Sequence, residues 1–179
     1  MPLSICVYCA SSDAVDGSFF DAARHLGGLI GRSGHTLVYG GGRIGLMGAL
    51  ALAVHEHGGR VVGVIPKSMV DKEYAYRDAD ELVVTDDIRQ RKAIMDRRAD
   101  AFVALPGGFG TLEEVAEVLA HRQLQMHNRP VVIVNSGGFY DPLLSLFDHF
   151  IEHRFAKARH RESYHVALDP AAALEFLEA

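Results

Sequence analysis

Short runs of valine, isoleucine and leucine alternate along the chain with segments in which apolar residues recur every three or four positions. Runs that are apolar on both faces are typical of strands in a parallel sheet covered by helices. The intervening segments have the period of amphipathic helices. Because β-α-β connections are right-handed, the alternation predicts an α/β fold: a doubly wound, Rossmann-like domain with a mainly parallel sheet covered by helices on both faces.

The predicted elements follow one another without a linker, an internal repeat or a low-complexity segment, so residues 1–179 are expected to form one domain. Residues 66–80 are polar and irregular, which is typical of a functional loop. Strands are predicted at 3–9, 36–39, 61–65, 82–84, 101–105, 131–134 and near 164–166. Helices are predicted at 19–32, 46–57, 87–98, from the turn at 106–111 to about 126, at 141–153 and after 170.

Composition excludes several classes of partner. The net charge is −5 and no block of lysine or arginine stands out, which argues against polymeric nucleic acid. No stretch approaches the roughly 18 apolar residues of a membrane span. The cysteines, Cys6 and Cys9, fall in or beside a predicted strand and are expected to pack as small apolar side chains. No signal-peptide pattern is present at the start, so a cytoplasmic location is expected.

Two glycine-rich turns are predicted at the carboxyl ends of strands, where sheets of this kind bind ligands. The first turn, residues 40–48 with Gly40, Gly41 and Gly42, follows the second strand, and the second turn, residues 106–111, follows the fifth. Glycine lets backbone N–H groups approach an anion, so both turns suit a phosphate. For residues 40–42, tight strand–helix packing is the alternative explanation. A nicotinamide-dependent oxidoreductase is disfavoured, because no acidic residue follows Ile65 to hold a ribose.

The second turn also carries carboxylates. Thr111 and Glu114 have the spacing of a capping box, in which Glu114 would only cap the helix. The alternative is that Glu114 reaches a part of the ligand other than its phosphate. Arg91 favours the second interpretation, because its spacing from Ile88 and Met95 places it on an apolar stripe. There its guanidinium could pair with a phosphate or with Glu114, and Lys92 adds a second cation.

These motifs together resemble those of one family. The pattern Pro-Gly-Gly-x-Gly-Thr-x-x-Glu at 106–114, Arg-Lys-Ala at 91–93 and Gly-Gly-Gly-x-x-Gly-Leu-Met-Gly at 40–48 is similar to that of the LONELY GUY (LOG) family. These proteins are cytokinin riboside 5′-monophosphate phosphoribohydrolases, often mislabelled as lysine decarboxylases. The similarity runs from about residue 7 to about residue 155. It departs at Ala120 and His121, where plant members usually have Thr-Trp, and at Phe109, where tyrosine is commoner.

The resemblance implies a hydrolase that cleaves the N-glycosidic bond of a nucleoside 5′-monophosphate to free base and ribose 5-phosphate. Cytokinin riboside monophosphates and AMP are the candidate substrates, with no cofactor and no metal. Arg91 and Glu114 would be the catalytic pair. The implied substrate-binding residues are Glu73, Arg91, Lys92, Gly108, Phe109, Gly110, Thr111, Leu112, Glu113 and Glu114.

The resemblance also implies a homodimer with substrate sites near the interface. A non-catalytic carrier of a phosphorylated cofactor, such as molybdenum cofactor, is the alternative function, because such carriers share the fold and a related glycine turn. Lysine decarboxylation is disfavoured, since nothing in the sequence marks a lysine for a Schiff base with pyridoxal phosphate.

Overall fold

The computed structural model describes residues 1–72 and 74–179, and within them seven strands form one sheet. The strands are β1 (Ser4–Tyr8), β2 (Thr36–Tyr39), β3 (Arg60–Pro66), β4 (Glu81–Thr85), β5 (Ala101–Ala104), β6 (Val131–Val134) and β7 (His165–Ala167). The α-helices are α1 (Gly17–Arg32), α2 (Gly45–Glu56), α3 (Lys67–Val70), α4 (Ile88–Arg98), α5 (Phe109–Gln123), α6 (Asp141–Glu152) and α7 (Pro170–Glu178). The short helix α3 lies in the segment predicted to be irregular.

The strands lie in the order β4-β3-β2-β1-β5-β6-β7, and every neighbouring pair is parallel. The chain proceeds outward from β1 to β4, returns to the other side of β1 with β5 and continues outward to β7. This reversal opens a crevice between the carboxyl ends of β1 and β5, where doubly wound sheets bind ligands. The parallel sheet with helices on both faces confirms the predicted Rossmann-like fold.

Alternate residues of β1 belong to different layers of the core. Ile5 and Val7 pack in the layer under α1, α2 and α7, whereas Cys6 and Tyr8 pack in the layer under α4 and α5. Cys9 lies in the first layer, so the two free thiols are on opposite sides of the sheet. Burial raises the pKa of both thiols. The cysteines therefore behave as small apolar side chains, as predicted.

Helix starts differ according to what precedes them. Aspartate side chains accept hydrogen bonds from first-turn N–H groups in three helices, which satisfies part of the unpaired backbone there. Helices α2 and α5 follow the two glycine turns and have no side-chain cap. The capped helices are α1 (Asp16), α4 (Asp87) and α7 (Asp169).

No helix in the described part of the chain is both long and apolar enough to cross a membrane.

Candidate active site

The loop after β1 lies between the two glycine turns. The Ala10 N–H donates to the Pro106 carbonyl (3.2 Å), and the Ala10 carbonyl accepts from the Met47 N–H (3.3 Å). At Gly45, where φ is +63°, an added Cβ would lie 2.5 Å from the carbonyl carbon of Ser11. The carboxyl ends of β1, β2 and β5 are therefore tied into one edge. No sequence pattern marked this loop as part of the site, although its position at the switch in strand order indicates a ligand-binding loop.

Helix α5 begins earlier than the capping-box pattern predicts. Its N-cap is Gly108, and Thr111 lies inside the first turn, only 3% exposed. The capping-box prediction is therefore wrong, because the chain already has helical geometry before Thr111. An added Cβ at Gly108 or Gly110 would meet nothing within 4 Å. The uncapped N–H groups and the positive end of the helix dipole thus lie open to an anion.

Gly107 and Thr111 contact each other across this turn. A Cβ at position 107 would lie 2.1 Å from Thr111 Oγ1, so the threonine side chain occupies the space that any other residue would need. Glycine is required there for packing, whereas the openness at Gly108 and Gly110 leaves room for a ligand. The α5 turn is therefore the better candidate for a phosphate site of the two glycine turns.

Arg91 and Glu114 form a buried ion pair at the same edge. Arg91 Nη1 lies 3.1 Å from Glu114 Oε1, and the two side chains are 12% and 10% exposed. Arg91 Nε donates to the Val64 carbonyl (3.0 Å), which ties the guanidinium to the end of β3. Of the predicted apolar stripe on α4, Met95 is buried, but Ile88 is 42% exposed because it is the first residue of the helix. The stripe is thus buried only from Arg91 onward.

Glu114 titrates in an unusual environment. Burial raises the pKa of its carboxyl, and the nearby Glu113 acts in the same direction. Arg91 and Lys92, which face it from α4, lower the pKa without cancelling the effect of burial. A carboxyl with a raised pKa beside a cation can exchange a proton with a reacting group or, when ionised, stabilise a developing positive charge.

Lys92 pairs with two carboxylates of α5. Its ammonium donates to Glu113 and to Glu117, and the side chain is 15% exposed. Partial burial lowers the pKa of Lys92, but these hydrogen bonds raise it overall. The amine is therefore held as an ammonium, whereas a Schiff-base lysine needs a neutral amine.

Residues 40–42 have packing roles. A Cβ at Gly40 would lie 1.9 Å from Arg91 Nη2, and one at Gly41, where φ is +73°, would lie 2.9 Å from Ile65 Cβ. At Gly42 a Cβ would lie 3.2 Å from the Met47 sulfur. These contacts explain the glycines without a ligand, so the phosphate role of this turn stays a prediction. Phe109 and Leu112, two further predicted substrate contacts, lie in the first turn of α5 and are 91% and 39% exposed. Glu73, also a predicted substrate contact, lies outside the described residues.

Comparison with known proteins gives the family. Residues 47–177 match a family model described as "possible lysine decarboxylase". The cytokinin riboside 5′-monophosphate phosphoribohydrolase LOG4 of Arabidopsis thaliana is 46% identical over 158 residues, which are 88% of this chain and 74% of that protein. LOG2 of the same plant, which bears the same enzyme name, is 41% identical over 174 residues, 97% of this chain and 82% of that protein. The chain belongs to the LOG family. This confirms the resemblance found in the motifs.

Solved structures similar to this LOG-family chain share its fold. The molybdenum cofactor binding protein from Rippkaea orientalis matches with a TM-score of 0.76 and 22% identity, over 99% of this chain and 97% of that chain. A Moco carrier protein from Chlamydomonas reinhardtii matches with a TM-score of 0.75 and 24% identity, over 99% and 96% of the two chains. At this identity the likeness is one of fold alone.

Ala120 and His121, two of the three positions at which the sequence departs from the pattern expected of plant LOG proteins, lie on different faces of α5. Ala120 lines an apolar groove between α5 and α6. His121 lines a small polar cavity on the α4 side, together with Lys92, Glu114 and Glu117. A change at Ala120 thus alters an apolar surface, whereas a change at His121 alters the charged surroundings of the ion pair.

Proposed function

We propose that this protein hydrolyses the N-glycosidic bond of nucleoside 5′-monophosphates, releasing the base and ribose 5-phosphate. One observation carries the proposal: the buried pair of Arg91 and Glu114 lies beside the uncapped start of α5. The enzyme names of LOG-family relatives at 41–46% identity support the same reaction. Cytokinin riboside monophosphates and AMP are the proposed substrates.

The geometry suggests which part of the reaction each group performs. The 5′-phosphate would bind the open N–H groups at the start of α5, which converts remote binding energy into positioning of the glycosidic bond. Breaking the C1′–N bond leaves positive charge on the ribose, which the Glu114 carboxylate would stabilise. The same carboxylate can take a proton from the attacking water, whose oxygen forms the new bond to C1′. The base departs with the electrons of the broken bond and is protonated.

Arg91 would keep Glu114 ionised in spite of its burial. Without a cation beside it, a buried carboxyl holds its proton and cannot act as a base. The hydrogen bond from Arg91 Nε to the Val64 carbonyl fixes the guanidinium from the opposite end. We infer that Arg91 sets the protonation state of Glu114 and its orientation towards the ribose.

The carrier alternative would need only the phosphate turn. A buried ion pair is costly to assemble, and it is useful when one of its members performs chemistry. Likeness to the molybdenum cofactor proteins is limited to the fold, so it favours neither function. Tight binding of a phosphorylated pterin without base release would favour the carrier.

The proposal predicts a strong dependence on the 5′-phosphate. Incubation with isopentenyladenosine 5′-monophosphate or AMP should yield free base, measured by liquid chromatography. The corresponding nucleosides should be cleaved at least about 10²-fold more slowly, because remote binding energy is then unavailable for positioning. Equal cleavage of nucleoside and nucleotide would contradict phosphate anchoring at α5.

We also propose a homodimer in which a second copy covers the groove between α5 and α6. No residue of α6 is fully buried in the chain, although its sequence is amphipathic. The groove is lined mainly by apolar side chains of the two helices and the segment after α6, and Phe150 at its rim is 39% exposed. Leu124 and Met126, just beyond α5, are each more than 60% exposed. An apolar surface of this kind is typical of a protein interface.

The dimer proposal predicts that Phe150→Glu shifts the protein from dimer to monomer, because a carboxylate would be buried at the interface. Sedimentation velocity measures the change. Glu175→Gln, on the exposed face of α7, is the control and should leave the mass unchanged. A wild-type protein that sediments as a monomer would contradict the proposal.

The cytoplasmic location stays a prediction.

A further inference from the structure

Three side chains outside the candidate active site form a hydrogen-bonded chain. His55, near the end of α2, lies between Tyr76 and Asp80. Its Nδ1 is 2.9 Å from the Tyr76 hydroxyl, and its Nε2 is 3.0 Å from Asp80 Oδ2. The same aspartate oxygen accepts from the Val61 N–H (2.7 Å), at the start of β3.

The partners determine which way each hydrogen bond runs. An ionised carboxylate only accepts, so His55 donates from Nε2 to Asp80, and we assign the neutral imidazole the tautomer that has its single ring proton there. His55 Nδ1 is then an acceptor, and the Tyr76 hydroxyl donates to it. The backbone hydrogen bond from Val61 and the hydrogen bond from His55 lower the pKa of Asp80, which keeps it ionised. The chain of hydrogen bonds therefore has one direction and holds the Tyr76 ring in place.

The fixed tyrosine belongs to a short segment that pairs with the first glycine turn. The Tyr76 N–H donates to the Gly41 carbonyl (2.9 Å), and the Arg43 N–H donates to the Tyr74 carbonyl (2.8 Å). Between them, Gly42 and Ala75 form an antiparallel bridge. Residues 74–76 are thus paired with residues 41–43 by backbone hydrogen bonds, and the Tyr76 hydroxyl ties this ladder to α2 and β3.

The glycine turn in turn contacts Arg91. Gly40 lies directly against the guanidinium, because a Cβ at this position would be only 1.9 Å from Arg91 Nη2. Gly41 packs on Ile65 and on the backbone of Val64, whose carbonyl accepts from Arg91 Nε. A shift of the turn would therefore move the guanidinium, its backbone acceptor or both.

We infer that Tyr76, held by His55 and Asp80, is a positioning residue that keeps the glycine turn against Arg91 and so keeps Arg91 on Glu114. A nucleophilic role is disfavoured, since burial and the neighbouring Asp78 and Asp80 raise the pKa of Tyr76. The effect on catalysis rests on the proposed function, but the effect on the ion pair does not.

The test is Tyr76→Phe, which keeps the ring and removes only the hydroxyl. We expect kcat/KM for AMP or a cytokinin nucleotide to fall about tenfold, because misplacing a catalytic group by 1 Å costs up to ~10²-fold. The acid limb of the pH profile should also move to higher pH, since Glu114 loses part of the influence of Arg91. Glu175→Gln, on the exposed face of α7 and outside both the ion pair and the groove between α5 and α6, is the control, and both readouts should stay unchanged.

A second variant tests the network as a unit. His55→Phe keeps a ring but removes the hydrogen-bond partner of the Tyr76 hydroxyl, so it should change kcat/KM in the same direction. The double variant should lose no more than the stronger single variant, because interacting residues are non-additive. Additive losses would contradict the network. A fall in kcat/KM without movement of the acid limb would show a merely structural role and overturn the inference.

The ion pair can also be observed without catalysis. The pKa of the Glu114 carboxyl, measured by ¹³C NMR, should be higher in Tyr76→Phe than in the wild type and unchanged in Glu175→Gln. If the wild type released no base and this pKa still rose, the proposed function would fail and the positioning role would stand. If base were released and neither the pKa nor the acid limb moved, the positioning role would fail alone.

Discussion

Replacing Glu114 with glutamine should reduce the rate of base release from a nucleoside monophosphate by about 10²–10⁴-fold, the usual contribution of a general acid or base. Glutamine keeps the shape of the side chain and can still accept a hydrogen bond from Arg91, but it carries no charge and takes up no proton at the ribose. The proposed phosphate site at the start of α5 is unaltered by the change. Steady-state kinetics with chromatographic detection of the base, together with a nucleotide binding titration, separate the two effects.

Glu175→Gln is the control for this substitution, because it makes the same chemical change on the exposed surface of α7. It should retain wild-type kinetics and binding. If Glu114→Gln still released base at the wild-type rate, Glu114 would not take part in the chemistry. If it lost nucleotide binding to the same extent as activity, its role would be to bind substrate.

Replacing Arg91 with glutamine should lower both activity and stability. Removing one member of a buried ion pair typically costs about 3–5 kcal/mol in free energy of unfolding, because the remaining carboxyl must either keep its charge without a partner or take up a proton. Activity should fall with it, since Glu114 would hold its proton more tightly and a smaller fraction of it would be ionised at a given pH. Urea denaturation and steady-state kinetics of the variant measure the two losses.

The stability loss in Arg91→Gln should depend on pH. With Arg91 gone, the pKa of Glu114 in the folded state rises further above its unfolded value. The free energy of unfolding of the variant then falls as the pH rises from the unfolded-state pKa of Glu114 towards its folded-state pKa. The free energies of unfolding of the variant and the wild type should therefore be closest in acid. Arg24→Gln removes an exposed ion pair with Asp21, whose side chains are 58% and 79% exposed, and it should cost at most about 1 kcal/mol. A similarly small loss of free energy of unfolding in Arg91→Gln would show that burial does not strengthen the ion pair of Arg91 and Glu114.

Most of the fold was predictable from the sequence, because its determinants are local. The runs at 36–39 and 131–134 coincide with strands β2 and β6, and Asp87 caps α4 at the point where the pattern changes from strand to helix. The start of α5 was predicted too late. Glycine and phenylalanine at 108–110 do not distinguish a loop from a helix turn, and the buried Thr111 side chain resolves the choice only through its contact with Gly107.

The candidate site was only partly predictable, for a different physical reason. The spacing of Arg91 and Glu114 places each on its own helix, but whether they meet depends on how α4 and α5 pack on neighbouring strands. The acceptor of Arg91 Nε is a backbone carbonyl of Val64, which no side-chain pattern marks. Likewise, the packing roles of residues 40–42 depend on what lies across the turn.

The sequence by itself determined the alternation of strands and helices, the two glycine turns and the residues that carry charge, because periodicity and turn chemistry are properties of short segments. The tertiary structure decided the order of the strands and the crevice between β1 and β5. It also decided the contact between Arg91 and Glu114 and the link from Tyr76 to Arg91. These features join residues far apart in the chain, so their geometry depends on the packing of several elements at once.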